Sequence, residues 1–578
     1  MTLLICNPID LSYRVQQVVN GRRRRVFREA ADPSVVRYRD RYYLFASMSG
    51  GFWHSGDLHT WEFVATPGLP VYDYAPDVRE IDGRLVVCAS RRGKPCDFYR
   101  SAGPKAGDWE VIPGEVAFWD PNLFQDDDGR VYLYEGCSAN APIRGVELDR
   151  ATLRRIGKPV ALIGGRPDQH GWERPAEDFD PERIKRPFVM RLMFGRRPFI
   201  EGAWMVKHAG RYQLQYAAPA TQFNGYADGT YIGNSPLGPF EYEPHSPFSS
   251  KPGGFVTGAG HGSTFQDEHG NWWHAATMRI SVHHDFERRL GLFPAGFDDD
   301  GVFFCNQEFA DYPLALPDAP ADPWSLTGRW MLLSAGCAVT ASSTDPAHPA
   351  HLAVTEDIRT WWKAATTEPG EWLTVALPAD SLTHAIQVNP IEDGPGDPPA
   401  PSDPGQKGLL GHRFIDTGDV AAPFLLEGSA DGTTWTPLRD ATSDGRSHDL
   451  VVLAEPQPLR FVRVTGGRHP LGTAFAVTGL RVFGLGTGPL PAAARASARR
   501  TDPLTAHISW PAAAGARGYN VRYGLAPDKL YHCWQVDGAT ALDLRSLNAG
   551  HAYWVAVDTF NTNGVTRGTP VPIEETSR

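Results

Sequence analysis

Three carboxyls in the first 300 residues sit in settings that could do acid–base chemistry. They are Asp32 in Ala31-Asp32-Pro33-Ser34-Val35, Asp120 in Trp119-Asp120-Pro121-Asn122-Leu123-Phe124, and Glu201 in Ile200-Glu201-Gly202-Ala203. Such a set suits a neutral, hydroxyl-rich substrate. One carboxylate must be ionised to take a proton from water, and another protonated to donate to a leaving oxygen. A third carboxylate nearby raises its neighbour's affinity for the proton, so the acid stays loaded near neutral pH. Glu201 lies between Arg-Pro-Phe-Ile and Gly-Ala-Trp-Met, an apolar setting with no turn to serve, which favours the protonated form. Asp-Pro at a strand start is also ordinary turn chemistry, because the Asp side chain bonds nearby backbone amides. Only the joint recurrence argues for more.

That recurrence is a fivefold repeat. Its copies open on Asp32, Asp77, Asp120, Glu201 and His261, each followed by a short apolar run, a turn and an aromatic-rich strand. From each anchor to the residue after its turn (Arg41, Arg84, Arg130, Arg211, Asn271), the offsets are 9, 7, 10, 10 and 10. Copies spaced roughly 45 to 80 residues apart, each with a hairpin, predict a β-propeller of five blades. The anchors then open the innermost strands and converge on the central channel. Asp77, in the copy with the shortest offset, reads as a structural or substrate-contact residue rather than a catalyst. Trp53, Trp119 and Phe223 are candidates to pack against a substrate face, whereas Trp204, inside a strand, reads as blade packing. His170-Gly171-Trp172-Glu173-Arg174, in the long interval before Glu201, is expected to fold over the funnel and favour attack on a chain terminus.

The 578 residues include 59 Gly and 49 Pro, with 17 Trp, 19 Tyr and 28 Phe, and few 3.6-residue apolar patterns. This predicts an all-β chain of two to four domains. A net charge of −11 gives no general attraction to nucleic acid, and the run Arg22–Arg25 reads as a solvated loop. No stretch of 18 apolar residues predicts a membrane span. Seven scattered cysteines form no CxxC pair and no disulfide framework; Cys88 and Cys305 read as small buried hydrophobes. The start, Met1 to Pro8, lacks the basic region and apolar length of a secretory leader, so localisation stays open between the cytoplasm and, had a leader been removed, the periplasm or exterior. The Pro-rich stretch within Pro313–Pro323 marks a linker (taken as 317–323) closing a first domain of 1–316.

The first domain resembles family 43 glycoside hydrolases. The resemblance rests on Asn7-Pro8, the Asp32, Asp120 and Glu201 phrases above, Gly260-His261-Gly262-Ser263, and Arg288 followed by Pro294. It implies a five-bladed propeller that hydrolyses glycosidic bonds with inversion. It further implies Asp32 as general base, Glu201 as general acid and Asp120 as the residue tuning the acid. His261 would lie in the channel near substrate or a structural metal ion, often calcium. Arg288 would approach Asp120 or the substrate, with Arg279 and Arg289 as alternatives. The expected reaction is release of terminal α-L-arabinofuranose or β-D-xylose from a plant-type oligosaccharide or polysaccharide. A β-D-galactofuranosidase or galactosidase, or a non-catalytic sugar-binding propeller, are the alternatives; retention of all three carboxyls favours catalysis.

Residues 324–486 resemble a discoidin-like, carbohydrate-binding type of β-sandwich, carried by Ser429-Ala-Asp431-Gly432-Thr-Thr-Trp435 and the closing Leu480-Arg-Val-Phe-Gly. The insert Glu392–Gln406 departs from that pattern. Residues 487–578 resemble a fibronectin type III sandwich, with Tyr553 at its tyrosine corner, and read as a spacer.

Overall fold

The computed structural model describes residues 2–21, 23–66, 69, 74–91, 93–174, 198–394, 406–408, 411–416 and 418–575. Arg22, most of the insert after Glu392 and residues 175–197 fall outside that set. The chain is all-β. Five antiparallel sheets follow one another in sequence order, each of four strands, the fourth with a short fifth strand, Ser249–Ser250, added beside Ala227–Gly233. Blade 1 holds Ala31–Tyr38, Arg41–Ser47, Gly51–Ser55 and Glu62–Ala65; blade 2 holds Asp77–Ile81, Arg84–Cys88, Phe98–Ser101 and Glu110–Ile112. Blade 3 runs Asn122–Gln125, Val131–Glu135, Ile143–Leu148 and Arg155–Ile163. Blade 4 runs Glu201–His208, Arg211–Ala218, Ala227–Gly233 and Phe240–Tyr242, and blade 5 Thr257–Gln266, Trp272–Arg279, Arg288–Phe297 and Phe303–Cys305. The first strand of each blade touches the first strand of the next, and that of blade 5 returns to blade 1, which closes a propeller.

Aromatic and aliphatic side chains fill the wedges between blades. Phe45 and Phe52 stack against each other beside Val78 and Val87 between blades 1 and 2, while Tyr132 and Tyr134 meet Met205 and Tyr216 between blades 3 and 4. No blade is built from both ends of the propeller. Closure instead uses Leu4–Ile5 paired with Leu314–Ala315, and Asn7, whose Nδ2 donates to Leu292 O and Ala310 O at 3.0 and 2.7 Å.

A second set of contacts fixes the register of the ring. Ser263 Oγ accepts from Val35 N, Ser34 Oγ from Val78 N, Asp77 Oδ2 from Leu123 N, and Asn122 Oδ1 from Met205 N, at 3.1, 3.0, 2.6 and 2.8 Å. Three of these latch residues stand two places after His261, Asp32 and Asp120. The fourth stands two places after Ala75. Backbone conformation agrees: Asp32, Ala75, Asp120 and His261 have φ of 51, 48, 47 and 49°, and Gly202 61°. The amides of Asp32, Ala75 and Asp120 each donate to a hydroxyl at or near the end of the preceding blade's second strand: Thr277, Ser47 and Ser90. Blade 2 therefore opens on Ala75-Pro76-Asp77, in register with Asp32-Pro33-Ser34 and Asp120-Pro121-Asn122. Asp77 is an inter-blade latch, buried and also bonded by Ser34 Oγ and Asn122 Nδ2, and not a substrate contact. Its shorter offset arose from a two-residue slip in the anchor.

Two β-sandwiches follow. The first stacks sheets built around Ser381–Pro390 with Ala476–Gly486 and Trp372–Ala376 with Phe461–Gly466, enclosing Trp362, Val375, Val462 and Leu480. It also lends strands Gln406–Gly408 and Gly411–Ile415 to a hairpin of the propeller region, Arg14–Asn20 and Arg23–Glu29, in one mixed-origin sheet. Exposed Arg23, Arg24 and Arg25 thus lie in a strand rather than a loop. The second sandwich packs Tyr523, Val521 and Val555 against Ile508 and Leu544; Tyr553 Oη accepts from Asn548 N at 3.1 Å. It is docked on blades 4 and 5 rather than held off as a spacer: His532 Nε2 reaches Pro247 O at 2.8 Å, and Lys529 pairs with Asp298 at 2.8 Å.

Candidate active site

Of the positive-φ residues, Asp32, Gly202 and His261 lie where the innermost strands are irregular, while Ala75 and Asp120 stand just before theirs. Register shifts fall between Ala31 and Ser34, Glu201 and Trp204, and Gly260 and Ser263. A bulge of this kind re-aims a side chain that a regular strand would send into the sheet. Non-glycine residues in the left-handed region cost of order 1 kcal/mol or more, a strain that clusters at functional sites. At Gly202 the freedom is needed: a Cβ there would come within 2.7 Å of the His261 ring.

These bulges open onto one pocket of about 230 Å³. Asp32, Asp120 and His261 line it from the positive-φ position, and Tyr74, Trp119 and Glu201 from the position before. Arg288, Phe286, Cys137 and Ala220–Gln222 complete most of the wall. Ala75 explains why blade 2 contributes an aromatic ring and no carboxyl.

On one wall, Asp32 is 5% exposed and surrounded by donors. Ser47 Oγ donates at 2.6 Å and Thr277 Oγ1 at 3.4 Å, and Arg288 Nη1 reaches both carboxylate oxygens at 3.1 and 3.3 Å. His261 Nδ1 stands 3.5 Å away. Burial would raise the Asp32 pKa, but Arg288, then His261 and the two hydroxyls, hold it below its ordinary value. Arg288 therefore serves Asp32 rather than Asp120. Its other edge donates to Glu29 Oε1 at 2.7 and 3.2 Å. Arg289 is turned away to His448 of the first sandwich, at 2.9 Å.

Across the pocket, Asp120, Cys137 and Glu201 bring ligand atoms within 4.8 Å of one another. Tyr226 Oη donates to Glu201 Oε1 at 2.6 Å and Cys137 Sγ to Oε2 at 3.1 Å. Burial, with Glu201 and Asp32 adding like charge against His261, pushes the Asp120 pKa up to about 7. Asp120 therefore keeps its proton up to near neutral pH. His261 is the shared element. Burial disfavours its charge, yet Asp32, Asp120, Glu201 and Asp228 raise its pKa. Asp228 also fixes the His261 bulge, accepting from the backbone amides of His261 and Gly262 at 2.7 and 3.0 Å.

A calcium ion fits these donors poorly. Hard cations take six or more oxygens. Among the described residues the one ligand cluster found contains a thiol and leaves out His261, whose imidazole is held toward its cationic form. Two expected wall residues lie elsewhere. Trp53 is fully buried in the core of blade 1, 5.1 Å from the Phe63 ring, with Nε1 on Ser12 Oγ. Phe223 is displaced by its neighbours Ala220–Gln222, which line the pocket in its place. His170–Arg174 does not cover the funnel: Gly171 N donates to Leu547 O at 2.9 Å and Trp172 Nε1 to Tyr242 Oη at 2.8 Å, so the segment docks against the second sandwich. Cys137, Tyr226, Ser47, Thr277, Glu29 and Asp228 carried no recognisable sequence signal, since each acts through a neighbour distant in the chain.

The match to known proteins runs over this same ring. Residues 26–303 match the model of glycosyl hydrolases family 43. The chain is also similar to a "Xylan 1,3-beta-xylosidase" of Vibrio sp, 24% identical over 340 residues, covering 51% of this chain and 59% of that protein. A "Beta-xylosidase" of Xylanibacter ruminicola is 27% identical over 194 residues (29% and 54%), and a "Xylosidase/arabinosidase" of Butyrivibrio fibrisolvens 25% identical over 275 residues (42% and 48%). The chain spans about half the length of the curated relatives it matches. The matched stretch holds all three carboxyls; Arg413 and the other sandwich residues lie outside it.

Proposed function

We propose that this chain is an inverting glycosidase that releases terminal pentose units, α-L-arabinofuranose or β-D-xylose, from an oligosaccharide or polysaccharide. The observation that carries this reading is two carboxyl centres facing one small pocket, Asp32 held by Arg288 and hydroxyls and Asp120 set against a second carboxyl, Glu201. Asp32, kept ionised by Arg288, is suited to take a proton from water. The water oxygen then attacks the anomeric carbon from the face opposite the leaving group. The proton kept beside Asp120 passes by way of Glu201, the less buried of the two, to the glycosidic oxygen as its bond to carbon breaks. Asp120 keeps that proton available near neutral pH. His261 faces both centres and offsets their charge. The names of the relatives support the pentose assignment. The pocket is below the roughly 300–1,000 Å³ of sites for larger ligands, which supports one terminal sugar at the site.

A panel of nitrophenyl α-L-arabinofuranoside, β-D-xylopyranoside and β-D-galactofuranoside, with NMR of the first-formed anomer, tests the substrate and the inversion. Glu201→Gln should lower kcat on an unactivated oligosaccharide by about 10²–10⁴-fold and affect aryl glycosides less. Unchanged turnover of that oligosaccharide would remove Glu201 from the role of acid. Absence of release from the whole panel by the wild type would overturn the reading.

A further inference from the structure

Beyond the pocket wall, the charges form a chain that ends in another domain. Glu29, fully buried, closes the hairpin strand beside Asp32. Its Oε1 accepts from Arg288, and its Oε2 accepts from Arg413 Nη1 at 2.6 Å. Arg413 is 7% exposed and stands on Gly411–Ile415, the strand that the first sandwich lends to the hairpin, opposite Val18. It also donates to Gln16 Oε1 at 3.4 Å and lies 5.7 and 6.0 Å from the Phe27 and Tyr74 rings. Tyr74 lines the pocket, and its ring is 5.8 Å from that of Phe286, which lines it too.

We infer that Arg413 is a positioning residue for the candidate base: by neutralising Glu29 it holds the Arg288 guanidinium against Asp32, so the propeller's site is complete only with the sandwich strand in place. The inference rests on the hydrolase reading for its catalytic meaning, but its geometry does not. Asp32, Arg288, Glu29 and Arg413 alternate in sign and sum to zero. Removing Arg413 leaves a buried carboxylate with one partner, a costly arrangement. Glu29 would then draw Arg288 away from Asp32 and add uncompensated negative charge nearby. Both effects raise the proton affinity of Asp32. The other groups facing Asp32 are His261, Ser47, Thr277 and, across the pocket, Asp120 with Glu201 and Tyr226; those beside Arg413 are Glu29 and His284. None replaces the lost cation next to Glu29. Docking does not depend on this pair alone, since Arg28–Glu392 at 2.6 Å and Arg481 on Asp311 O at 2.6 Å also join sandwich to propeller.

The test compares R413M, R413K, E29Q and the double variant E29Q/R413M. R413M should lower kcat about tenfold, leave KM within about twofold, and move the acid limb of the rate profile up by about one pH unit. R413K, which keeps the charge, should stay within about threefold of wild type. E29Q/R413M, with the stranded carboxylate gone, should bring the acid limb back. The same shift should appear without substrate, in an infrared carboxylate titration read as the difference between each protein and its D32N counterpart. That readout survives if the substrate assignment fails. An R413M protein whose limb and Asp32 titration match wild type would overturn the inference, as would a loss of kcat that E29Q does not relieve. Should R413M not fold, R413K and E29Q/R413M decide by the same two readouts.

Discussion

Asp32 and Asp120 occupy the same position of two blades, each with φ near +50° and each followed by proline, yet they are driven in opposite directions. Both are 5% exposed, so burial pushes both toward protonation. Asp32 overcomes it because Arg288, two hydroxyls and His261 converge on one carboxylate. Asp120 faces Glu201, a thiol and the distant Asp32, with His261 as the opposing cation, and its pKa goes up. Position in the repeat sets where a carboxyl points. The neighbours contributed by other blades set what it can do.

The strongest way to break the contrast is to remove the cation from the ionised wall. Arg288→Met should cost about 10²–10³-fold in kcat/KM. Asp32 should then titrate higher, as Asp120 does, moving the acid limb up by at least about one pH unit; a pH–rate profile checks this. A smaller effect comes from pH alone. Asp32 must be ionised, and its pKa lies below the usual carboxylate value, so activity should persist down to about pH 4. On the opposite wall Asp120 must hold its proton, so kcat should fall as pH rises through about 7. The smallest is Cys137→Ala. The thiol donates to Glu201 and also lowers the proton affinity of Asp120, so its loss should move the basic limb up by less than about one unit with little change in KM.

The sandwiches offer a parallel contrast. The second docks on the outside of blades 4 and 5 through His532 and Lys529, away from the pocket. The first sends a strand under the pocket and ends a charge chain at Arg413. Both read alike from sequence, as appended β domains, because the linking ion pairs join residues hundreds of positions apart.

The amino-acid sequence by itself determined the strands, the five hairpins and the three carboxyls, because alternation, turn residues and the Asp-Pro phrase are local signals. It also singled out Arg288 and His261. Tertiary structure decided the rest. It put Ala75 rather than Asp77 at the second anchor, since only the latches between blades reveal the register. It sent Trp53 into the core, where the sequence had suggested a face for substrate. It turned Arg288 toward Asp32, placed Cys137 between Asp120 and Glu201, and brought Arg413 from another domain. Protonation depends on distances among groups that converge at the propeller's centre, and those distances exist only once the ring has closed.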